Sequence, residues 1–313
     1  MKQKVTLVFP GQGSQYVGMG REFKDEFKIA DSVLGYSLRT ITLEGPNEEL
    51  TSTKNTEPAI LAHSVGLLNK LLPILDNKKI QIERVLGHSV GEYSALVAAG
   101  SLDFADALIS VHYRGKFMQE AVPEGKGRMI ALLKMPQEII EKACKEASKP
   151  GSLVMPANFN EPNQIVISGC AEAAERAIKW LEENYDGRVK AIELNVSAPF
   201  HSSLMQPAAE KLEQHLSQIE FRKLNFPYIA NYDAKEYDTK TDPKSIRQNL
   251  VKQVCGSVLW TQSLINLNPR TKFIEVGPGK VLSGLIKKIN PEFKIHHLDH
   301  ENGFEQLNTF LEE

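Results

Sequence analysis

Apolar residues cluster along the chain in short runs, typical of buried strands, and in longer runs typical of helices. The run "VTLVF" (5–9) predicts a strand followed by the loop "GQGSQ". Residues 55–76 and 103–122 predict long helices, the second of them stopped by Pro123. Between them, "ERVLGHSVGEYSALVAAG" predicts a strand, a sharp turn and a helix ending at Gly100. This part of the chain therefore predicts alternating strands and helices.

The pattern changes after the glycine-rich break "PEGKGR" (123–128). Strands and helices now follow in the βαββαβ order of a split ferredoxin-like unit. The segments are "MIALLKM", "PQEIIEKACKEAS", "SLVMPANFN", "NQIVISG", "AEAAERAIKWLEEN" and "RVKAIELN". Strand-like runs return in "FPYIANY" and "KFIEVG", with longer helices around them. The pattern predicts one α/β domain, residues 1–126 and 197–313, interrupted by a small subdomain over residues 127–196.

Composition narrows the class of protein. Of 313 residues, 42% are hydrophobic and 24% charged, and Lys+Arg at 37 against Asp+Glu at 39 give a net charge of −2, so the chain lacks the charge excess of a nucleic-acid binder. The first apolar run meets Pro10 too early for a secretory signal, and we expect no membrane span. Three cysteines without metal-ligand spacing favour reduced thiols, no metal site and a cytoplasmic protein.

The stretch "GHSVGEYSA" (87–95) carries the first candidate for chemistry. A G-x-S-x-G pattern between a strand and a helix is the context of a nucleophile elbow, in which the turn exposes the serine oxygen. Ser89 is then the nucleophile, and the Val90 amide points at the developing oxyanion. The alternative is that Ser89 is one small residue in a structural turn, because glycine and serine are what turns favour.

A serine hydroxyl needs a base, and His201 has the most distinctive setting among eight histidines. It follows "SAPF" at the predicted start of a helix, where the positive helix end would keep the imidazole neutral. The alternative is an ordinary loop histidine. Because no convincing acid lies between residues 89 and 201, a Ser–His dyad oriented by a backbone carbonyl fits better than a triad. The second oxyanion donor could come from "GQGSQ", where Gly11 and Gly13 allow close backbone approach.

Arg114 is the third candidate. On the helix over 103–122 it shares a face with apolar residues at a spacing of three and four, which turns it inward. A buried guanidinium needs an anion, because an unpaired buried charge is very costly. That anion is either a neighbouring carboxylate, in a structural ion pair, or the carboxylate of a substrate held in a bidentate clamp.

Six motifs in one collinear order closely resemble the malonyl-CoA:acyl carrier protein transacylase family. They are "FPGQGSQ", "GHSVGEYSALVAAG", "RGKFMQEAVP", "NFNEPNQIVISG", "SAPFHSSLM" and "FIEVGPGKVLSGLIKKI", and the resemblance runs from about residue 5 to about residue 290. It implies a hydrolase-like α/β domain carrying a ferredoxin-like subdomain. It also implies that Ser89 takes the malonyl group from malonyl-CoA with His201 as base, and passes it to the phosphopantetheine thiol of an acyl carrier protein.

The resemblance also implies roles for further residues. Gln12 and Val90 match the backbone donors of the oxyanion hole, and Gln253 matches the residue whose carbonyl orients the histidine. Phe200 before the histidine is the pattern of malonyl-selective members, where methylmalonyl-selective ones usually carry serine. The substrate contacts implied by the resemblance are Arg114, Gln12, His88, Asn160, Phe200 and Asn231.

One position departs from the family pattern. In "NTEPAIL", Glu57 stands where the family usually has glutamine. An ionised carboxylate facing the malonate pocket would oppose a second negative charge. Glu57 could instead point away from the pocket or pair with a base.

The expected partners are malonyl-CoA and an acyl carrier protein of fatty acid synthesis, or a carrier domain of a polyketide synthase (PKS). We expect a monomer that needs no cofactor and contacts neither nucleic acid nor membrane. Acidic carriers favour a basic patch near the pocket, with Lys116, Lys126, Arg128 and Lys280 as candidates. Two other functions stay open: a hydrolase that edits stalled acyl carriers with the same dyad but without need of Arg114, and a catalytically inactive scaffold.

Overall fold

Two separate sheets organise the chain in the computed structural model, which describes residues 3–123 and 125–312. Glu124, in the predicted glycine-rich break, lies outside these residues. The chain is an α/β protein, as its sequence pattern predicts. The strands are β1 (Lys4–Phe9), β2 (Gln81–Gly87), β3 (Gly127–Leu133), β4 (Val154–Glu161), β5 (Gln164–Cys170), β6 (Ala191–Glu193), β7 (Tyr228–Ile229), β8 (Glu236–Tyr237), β9 (Lys272–Glu275) and β10 (Lys294–His297).

The helices lie between these strands along the chain. Those before residue 124 are α1 (Lys24–Leu34), α2 (Leu38–Glu44), α3 (Asn47–Thr51), α4 (Thr53–Asn77), α5 (Gly91–Ala98) and α6 (Phe104–Glu120). Those after it are α7 (Gln137–Ala147), α8 (Ala171–Asn184), α9 (Gln206–Leu216), α10 (Pro243–Cys255), α11 (Trp260–Leu264), α12 (Val281–Ile289) and α13 (Gly303–Glu312). A short 3₁₀ turn over Ser203–Met205 leads into α9.

The larger sheet has the strand order β10-β9-β1-β2-β7-β8, and its pairs are parallel except for β7 with β8. β1 is buried along nearly its whole length, as a central parallel strand covered by helices requires. Because the carboxyl ends of parallel strands meet at one edge, the segments that follow β1, β2 and β7 are brought together there. These segments carry the loop "GQGSQ", Ser89 and Asn231.

The smaller sheet has the order β4-β5-β3-β6 with antiparallel pairs. Its strands and α7 and α8 share a separate apolar cluster that includes Leu132, Ile167 and Leu181. The segment after α10 joins this sheet to the larger one, since the Phe159 amide donates to the Val258 carbonyl at 3.0 Å and the Val258 amide donates to Ala157 at 2.8 Å. The small sheet is therefore fixed beside the carboxyl edge of the large one.

Helix α4 is the most apolar long helix of the described chain. By length and composition alone it could cross a membrane, with a mean hydropathy of 1.4 over 18 residues. Of that window, 72% is buried inside the protein, against α5 and α6 among others. A core helix passes the same composition test, because its apolar surface faces other protein instead of lipid.

Some predicted elements are shorter than their sequence patterns. The run "FPYIANY" (226–232) forms only the two-residue strand β7, because Pro227 has no amide to donate and the chain turns away after Ala230. The last strand of the smaller sheet is predicted over 188–195 and pairs only over Ala191–Glu193.

The elbow at Ser89 requires glycine on both sides, because strand, turn and helix approach each other closely. A Cβ atom on Gly87 would lie 1.9 Å from the Gly91 carbonyl carbon, and one on Gly91 would lie 2.1 Å from the Phe9 carbonyl oxygen. Both obstacles are backbone atoms, which cannot rotate away as a side chain can.

We expect Gly91→Ala to lower the free energy of unfolding by about 1–3 kcal/mol through this overlap, although alanine is the better helix former. Gly284→Ala is the matched control, since Gly284 lies in α12 with open space where its Cβ would be. It should raise stability by up to about 1 kcal/mol. Urea unfolding of both variants checks this, and a Gly91→Ala protein as stable as the wild type would contradict it.

Candidate active site

Ser89 lies in the sharp turn between β2 and α5, with a backbone φ of 52°. This left-handed conformation is uncommon for a residue with a side chain, and the surrounding structure must hold it in place. The Ser89 amide donates to the Asn231 side-chain oxygen at 2.7 Å, and the Ser89 carbonyl accepts from the Glu92 amide at 3.0 Å. The turn therefore presents the Ser89 hydroxyl on a fixed backbone.

His201 provides the proton acceptor. Its Nε2 lies 2.7 Å from the Ser89 Oγ, and its Nδ1 lies 2.9 Å from the backbone carbonyl oxygen of Gln253. A carbonyl can only accept, so Nδ1 carries the hydrogen and Nε2 presents its lone pair to the serine hydroxyl. Gln253 lies in the last turn of α10, where carbonyl groups run out of intrahelical donors. The structure thus brings together the two residues of the expected dyad and the carbonyl that orients the histidine.

The neutral state of His201 has a different cause from the one expected. His201 has a φ of 56° and precedes the short 3₁₀ turn, so it does not lie in the first turn of α9. Burial lowers the pKa of its imidazole to about 3, and the charge of Arg114 adds to this effect. Burial and a neighbouring cation, instead of a helix N-terminus, keep the ring ready to accept a proton.

Arg114 is fully buried on α6 and reaches the same serine. Its Nη2 donates to the Ser89 Oγ at 3.0 Å and to the Gln253 side-chain oxygen at 2.9 Å. Its Nη1 donates to Glu57 on α4, and the two form a buried ion pair. Of the two anions considered for Arg114, the structure supplies the neighbouring carboxylate, and it also places the guanidinium against the reacting oxygen.

Glu57 neither points away from the site nor lies free in it, because it pairs with a base. Its side chain is 2% exposed. Burial raises the pKa of Glu57 to about 7, while Arg114 acts in the opposite direction. The departure from the family pattern therefore lies in direct contact with the cation that the resemblance assigns to malonate.

Two buried side chains hold the elbow in place: that of Gln253, for which only the backbone carbonyl had an expected role, and that of Glu92, which the sequence did not single out. The Gln253 side-chain nitrogen donates to the Ser89 carbonyl at 3.0 Å and to the Glu92 carboxyl at 2.5 Å. Burial raises the pKa of Glu92 to about 7, against the hydrogen bonds from Gln253 and Asn231. In the sequence, Glu92 resembles an ordinary acidic residue in the first turn of a helix, so no local signal marks it.

Asn231, for which a substrate contact is predicted, forms hydrogen bonds with the backbone of the elbow. Its side-chain nitrogen donates to the Gly87 carbonyl at 2.6 Å, its side-chain oxygen accepts from the Ser89 amide, and its own amide donates to Glu92 at 3.3 Å. Both halves of its side-chain amide are engaged by the elbow backbone. We therefore describe Asn231 as a positioning residue for Ser89.

His88 and Asn160 contact each other across the two sheets. The His88 Nε2 lies 2.8 Å from the Asn160 side-chain oxygen, so the His88 ring turns away from Ser89, toward β4. The ring also contacts the Trp260 edge, with centroids 5.5 Å apart. Burial lowers the pKa of His88. This pair closes the side of the site that faces the smaller sheet.

The remaining predicted residues lie around the same serine. Val90 is the N-cap of α5, directly after Ser89. The loop with Gln12 packs on the elbow so closely that a Cβ on Gly11 would lie 2.4 Å from the His88 carbonyl oxygen. Phe200 is buried beside His201.

The basic residues expected to form a patch for carrier docking differ in how their charges are paired and where they lie. Arg128 pairs with Glu175 at 2.7 Å and with Glu193 at 3.3 Å, so its charge is already balanced. Lys116 lies with His112 on a cleft at the outer side of α6, and Lys280 is exposed before α12. Among the described residues, no group of three or more His, Cys, Asp or Glu could hold a metal ion.

A partly exposed elbow serine, a neutral histidine held by a carbonyl and an arginine on the same oxygen make up an acyl-transfer site in an α/β protein. Residues 6–289 match the model of the acyl transferase domain family. A relative from Bacillus subtilis (strain 168), named malonyl CoA-acyl carrier protein transacylase, is 44% identical over 300 residues, covering 93% of this chain and 92% of the relative. The chain belongs to the acyl transferase domain family.

Solved structures show the same likeness. The crystal structure of an acyl carrier protein S-malonyltransferase from Vibrio cholerae superposes with a TM-score of 0.89 at 39% identity, covering 97% of this chain and 100% of the other. A malonyl-transacylase in complex with its type II PKS acyl-carrier protein superposes with a TM-score of 0.88 at 40% identity, covering 99% of each chain. Because these identities of 39% and 40% cover nearly the whole of each chain, the similarity includes the sequence as well as the fold.

The lowered pKa of His201 gives a testable prediction. An imidazole whose pKa in the folded protein lies below its unfolded value of about 6.5 stabilises the fold above that pH. This contribution is lost as the pH falls from about 6.5 toward the folded value of about 3, and the folded imidazole stays neutral over that interval. The imidazole resonance that disappears in His201→Gln should therefore show no titration midpoint between about pH 5 and 8 in NMR spectra of the wild type. A midpoint near the ordinary value would contradict the assignment.

Proposed function

We propose that this chain is a malonyl-CoA:acyl carrier protein transacylase that works through an acyl-enzyme on Ser89. The observation that carries the proposal is the convergence of a base and a cation on one oxygen: His201 Nε2 lies 2.7 Å and Arg114 Nη2 3.0 Å from the Ser89 Oγ. The relative from Bacillus subtilis and the carrier-bound neighbour, both named as transacylases, support the same substrates. The product serves fatty acid or polyketide synthesis.

The first half-reaction follows from the hydrogen bonds. Ser89 Oγ attacks the thioester carbonyl carbon of malonyl-CoA while its proton passes to His201 Nε2. The oxyanion that forms is held by the backbone amides of Val90 and Gln12 at the carboxyl edge of the large sheet. When the intermediate collapses, the carbon–sulfur bond breaks, and the CoA thiolate leaves with the proton from His201.

The second half-reaction reverses these steps with a different thiol. The phosphopantetheine thiol of the carrier gives its proton to His201 and attacks the ester carbonyl on Ser89. Ser89 Oγ then leaves and recovers the proton. The Gln253 carbonyl accepts from Nδ1 throughout, so it holds the ring in place and favours the imidazolium while it exists. The chemistry draws on these side chains and needs no cofactor.

Arg114 is the proposed acyl-selecting residue. A guanidinium beside the reacting oxygen can bind the carboxylate at the far end of a malonyl group with charge-assisted hydrogen bonds. Phe200 and the pair of His88 with Asn160 would then bound the pocket on the remaining sides. An editing hydrolase has no need of this cation, and the relatives are named transacylases, so that alternative is not supported.

We also propose the finer architecture and setting. The strand order β4-β5-β3-β6 with α7 and α8 supports a ferredoxin-like subdomain over residues 127–196, inserted into a hydrolase-like domain of residues 1–126 and 197–313. We propose that the protein acts as a monomer. Cys144, Cys170 and Cys255 are free, which supports a location in a reducing, cytoplasmic compartment.

The covalent step is tested by removing the nucleophile and the base separately. Ser89→Ala should abolish the labelled protein that forms with radiolabelled malonyl-CoA, and His201→Ala should slow labelling by about 10³-fold or more. Intact-mass measurement locates the adduct, and circular dichroism controls for folding. Malonyl on the Ser89→Ala protein would show that another residue is the nucleophile, and release of free malonate in place of a stable adduct would indicate a hydrolase.

The selecting role of Arg114 is tested by a change of substrate preference. Arg114→Ala leaves the malonyl carboxylate unpaired and should lower kcat/KM for malonyl-CoA by roughly 30- to 1000-fold, while acetyl-CoA, which has no carboxylate, should lose far less. Arg114→Lys should rescue only in part, because an ammonium lacks the planar fork. Equal losses for the two substrates would mean that Arg114 does not select the acyl group and serves only the nucleophile or the structure.

A further inference from the structure

The guanidinium of Arg114 is engaged on two sides before any substrate arrives. Nη2 donates to Ser89 and Gln253, and Nη1 donates to Glu57. The Glu57 carboxylate therefore occupies a position on the cation that a substrate carboxylate attached at Ser89 would have to share or take. Neither Arg114 nor Glu57 can move into solvent without unpacking α4 from α6, because both are buried.

The buried titratable groups around Arg114 and Glu57 already include more acidic groups than cations. Arg114 from α6 and Tyr93 from α5 face Glu57. Glu92 from α5 and His201 lie within the electrostatic reach of Arg114. Burial raises the pKa of the Tyr93 hydroxyl and lowers that of His201, so both stay neutral near pH 7. One guanidinium then faces two carboxyl groups, and a malonyl carboxylate would be a third.

Three carboxylates on one buried cation are not all stable in ionised form. An unpaired buried carboxylate costs several kcal/mol, and like charges at one site raise the pKa of one partner strongly. Glu57 is the carboxyl group in direct contact with Arg114, and its Oε2 has no hydrogen-bond partner among the described residues, so it can hold a proton there. Its pKa of about 7 in the free protein means that this proton is readily available.

We propose that Glu57 couples malonyl loading to proton uptake: Arg114 exchanges the Glu57 carboxylate for the malonyl carboxylate only when Glu57 takes up one proton from solvent. The proposal rests on the malonyl transfer proposed above and makes Glu57 a selectivity residue that acts through Arg114. The exchange is balanced in charge, since one anion arrives and one is neutralised. An acetyl group brings no charge and leaves the Glu57–Arg114 pair intact.

The coupling gives malonyl selectivity a pH dependence of defined sign. Glu57 has a raised pKa, so it is protonated below about pH 7 and ionised above it. The ratio of kcat/KM for malonyl-CoA to that for acetyl-CoA should be highest near pH 6 and fall by up to about tenfold per pH unit above 7. Because both substrates use Ser89 and His201, taking the ratio cancels the titration of the shared machinery.

The experiment measures this ratio between about pH 6 and 9 in the wild type, Glu57→Gln and Glu92→Gln. Glutamine keeps the shape of each carboxyl group without its titration, and Glu92→Gln is the matched control, since Glu92 is the other buried carboxyl group near Arg114. We expect the ratio to fall by up to about 100-fold from pH 7 to 9 in the wild type and in Glu92→Gln, and to stay constant within about twofold in Glu57→Gln.

A second readout follows the proton itself and does not depend on turnover. Malonyl-CoA added to the Ser89→Ala protein in weakly buffered solution near pH 8, with a pH indicator, should be accompanied by uptake of close to one proton per ligand bound. Acetyl-CoA should cause none. The same measurement on the Ser89→Ala, Glu57→Gln double variant should lose the uptake. If the double variant does not fold, uptake by the Ser89→Ala protein shows the coupling, and the pH dependence of the ratio in Glu57→Gln identifies the group.

The outcomes separate the two proposals. A wild type that is not loaded with malonyl even at pH 6 would contradict the proposed function itself. Normal loading with a ratio that does not change with pH, or with no proton uptake, would overturn the role of Glu57 and leave the function standing. A pH-dependent ratio that survives in Glu57→Gln and disappears in Glu92→Gln would also overturn it, because Glu92 would then be the group that takes up the proton.

Discussion

The arrangement of the site depends on one fully buried residue, Gln253. Its backbone carbonyl accepts from His201, its side-chain oxygen accepts from Arg114, and its side-chain nitrogen donates to the backbone of Ser89 and to Glu92. The base, the cation and the nucleophile are therefore all held in position by hydrogen bonds to a single residue at the end of α10. A glutamine suits this place because it carries donors and acceptors without a charge that burial would oppose.

The hydrogen bonds of Gln253 help to explain how the site tolerates backbone strain. Ser89 and His201 both have φ values near 55°, at 52° and 56°, a conformation that costs energy for residues with a Cβ. Each is held by hydrogen bonds that end on Gln253 or Asn231. The strain places the Ser89 Oγ above the end of β2, where the ring of His201 can reach it from a different segment.

The sequence could predict the parts of the site that depend on local order. The glycines around Ser89, the strand before it and the helix after it are consecutive, so the elbow could be recognised from one short stretch, and the βαββαβ order could be followed strand by strand. His201 could be singled out by its setting after "SAPF", but the carbonyl of Gln253 required the family resemblance, since it lies far along the chain from both Ser89 and His201. The glutamine side chain, Glu92 and the bracing by Asn231 could not be predicted, because each depends on which buried groups meet once the sheet has formed. The cause of the neutral His201 was misjudged for the same reason: burial, a property of the whole fold, outweighs the nearest helix end.

The pairing of Arg114 illustrates why a charged residue predicted to be buried can have either a structural or a substrate partner until the structure is known. The helical stripe on α6 required an anion, and both a protein carboxylate and a substrate carboxylate satisfied that requirement. Glu57 satisfies it in the free protein, yet the same guanidinium also donates to the Ser89 Oγ, the atom that is acylated in the proposed reaction. While the serine proton moves to His201, this donor stabilises the negative charge that grows on Oγ. Once an acyl group is attached, the oxygen becomes a weak acceptor, and Nη2 is then free to turn to the acyl chain. One buried cation can thus serve the nucleophile before acylation and the substrate after it, and the carboxylate on its other side sets how strongly it does either.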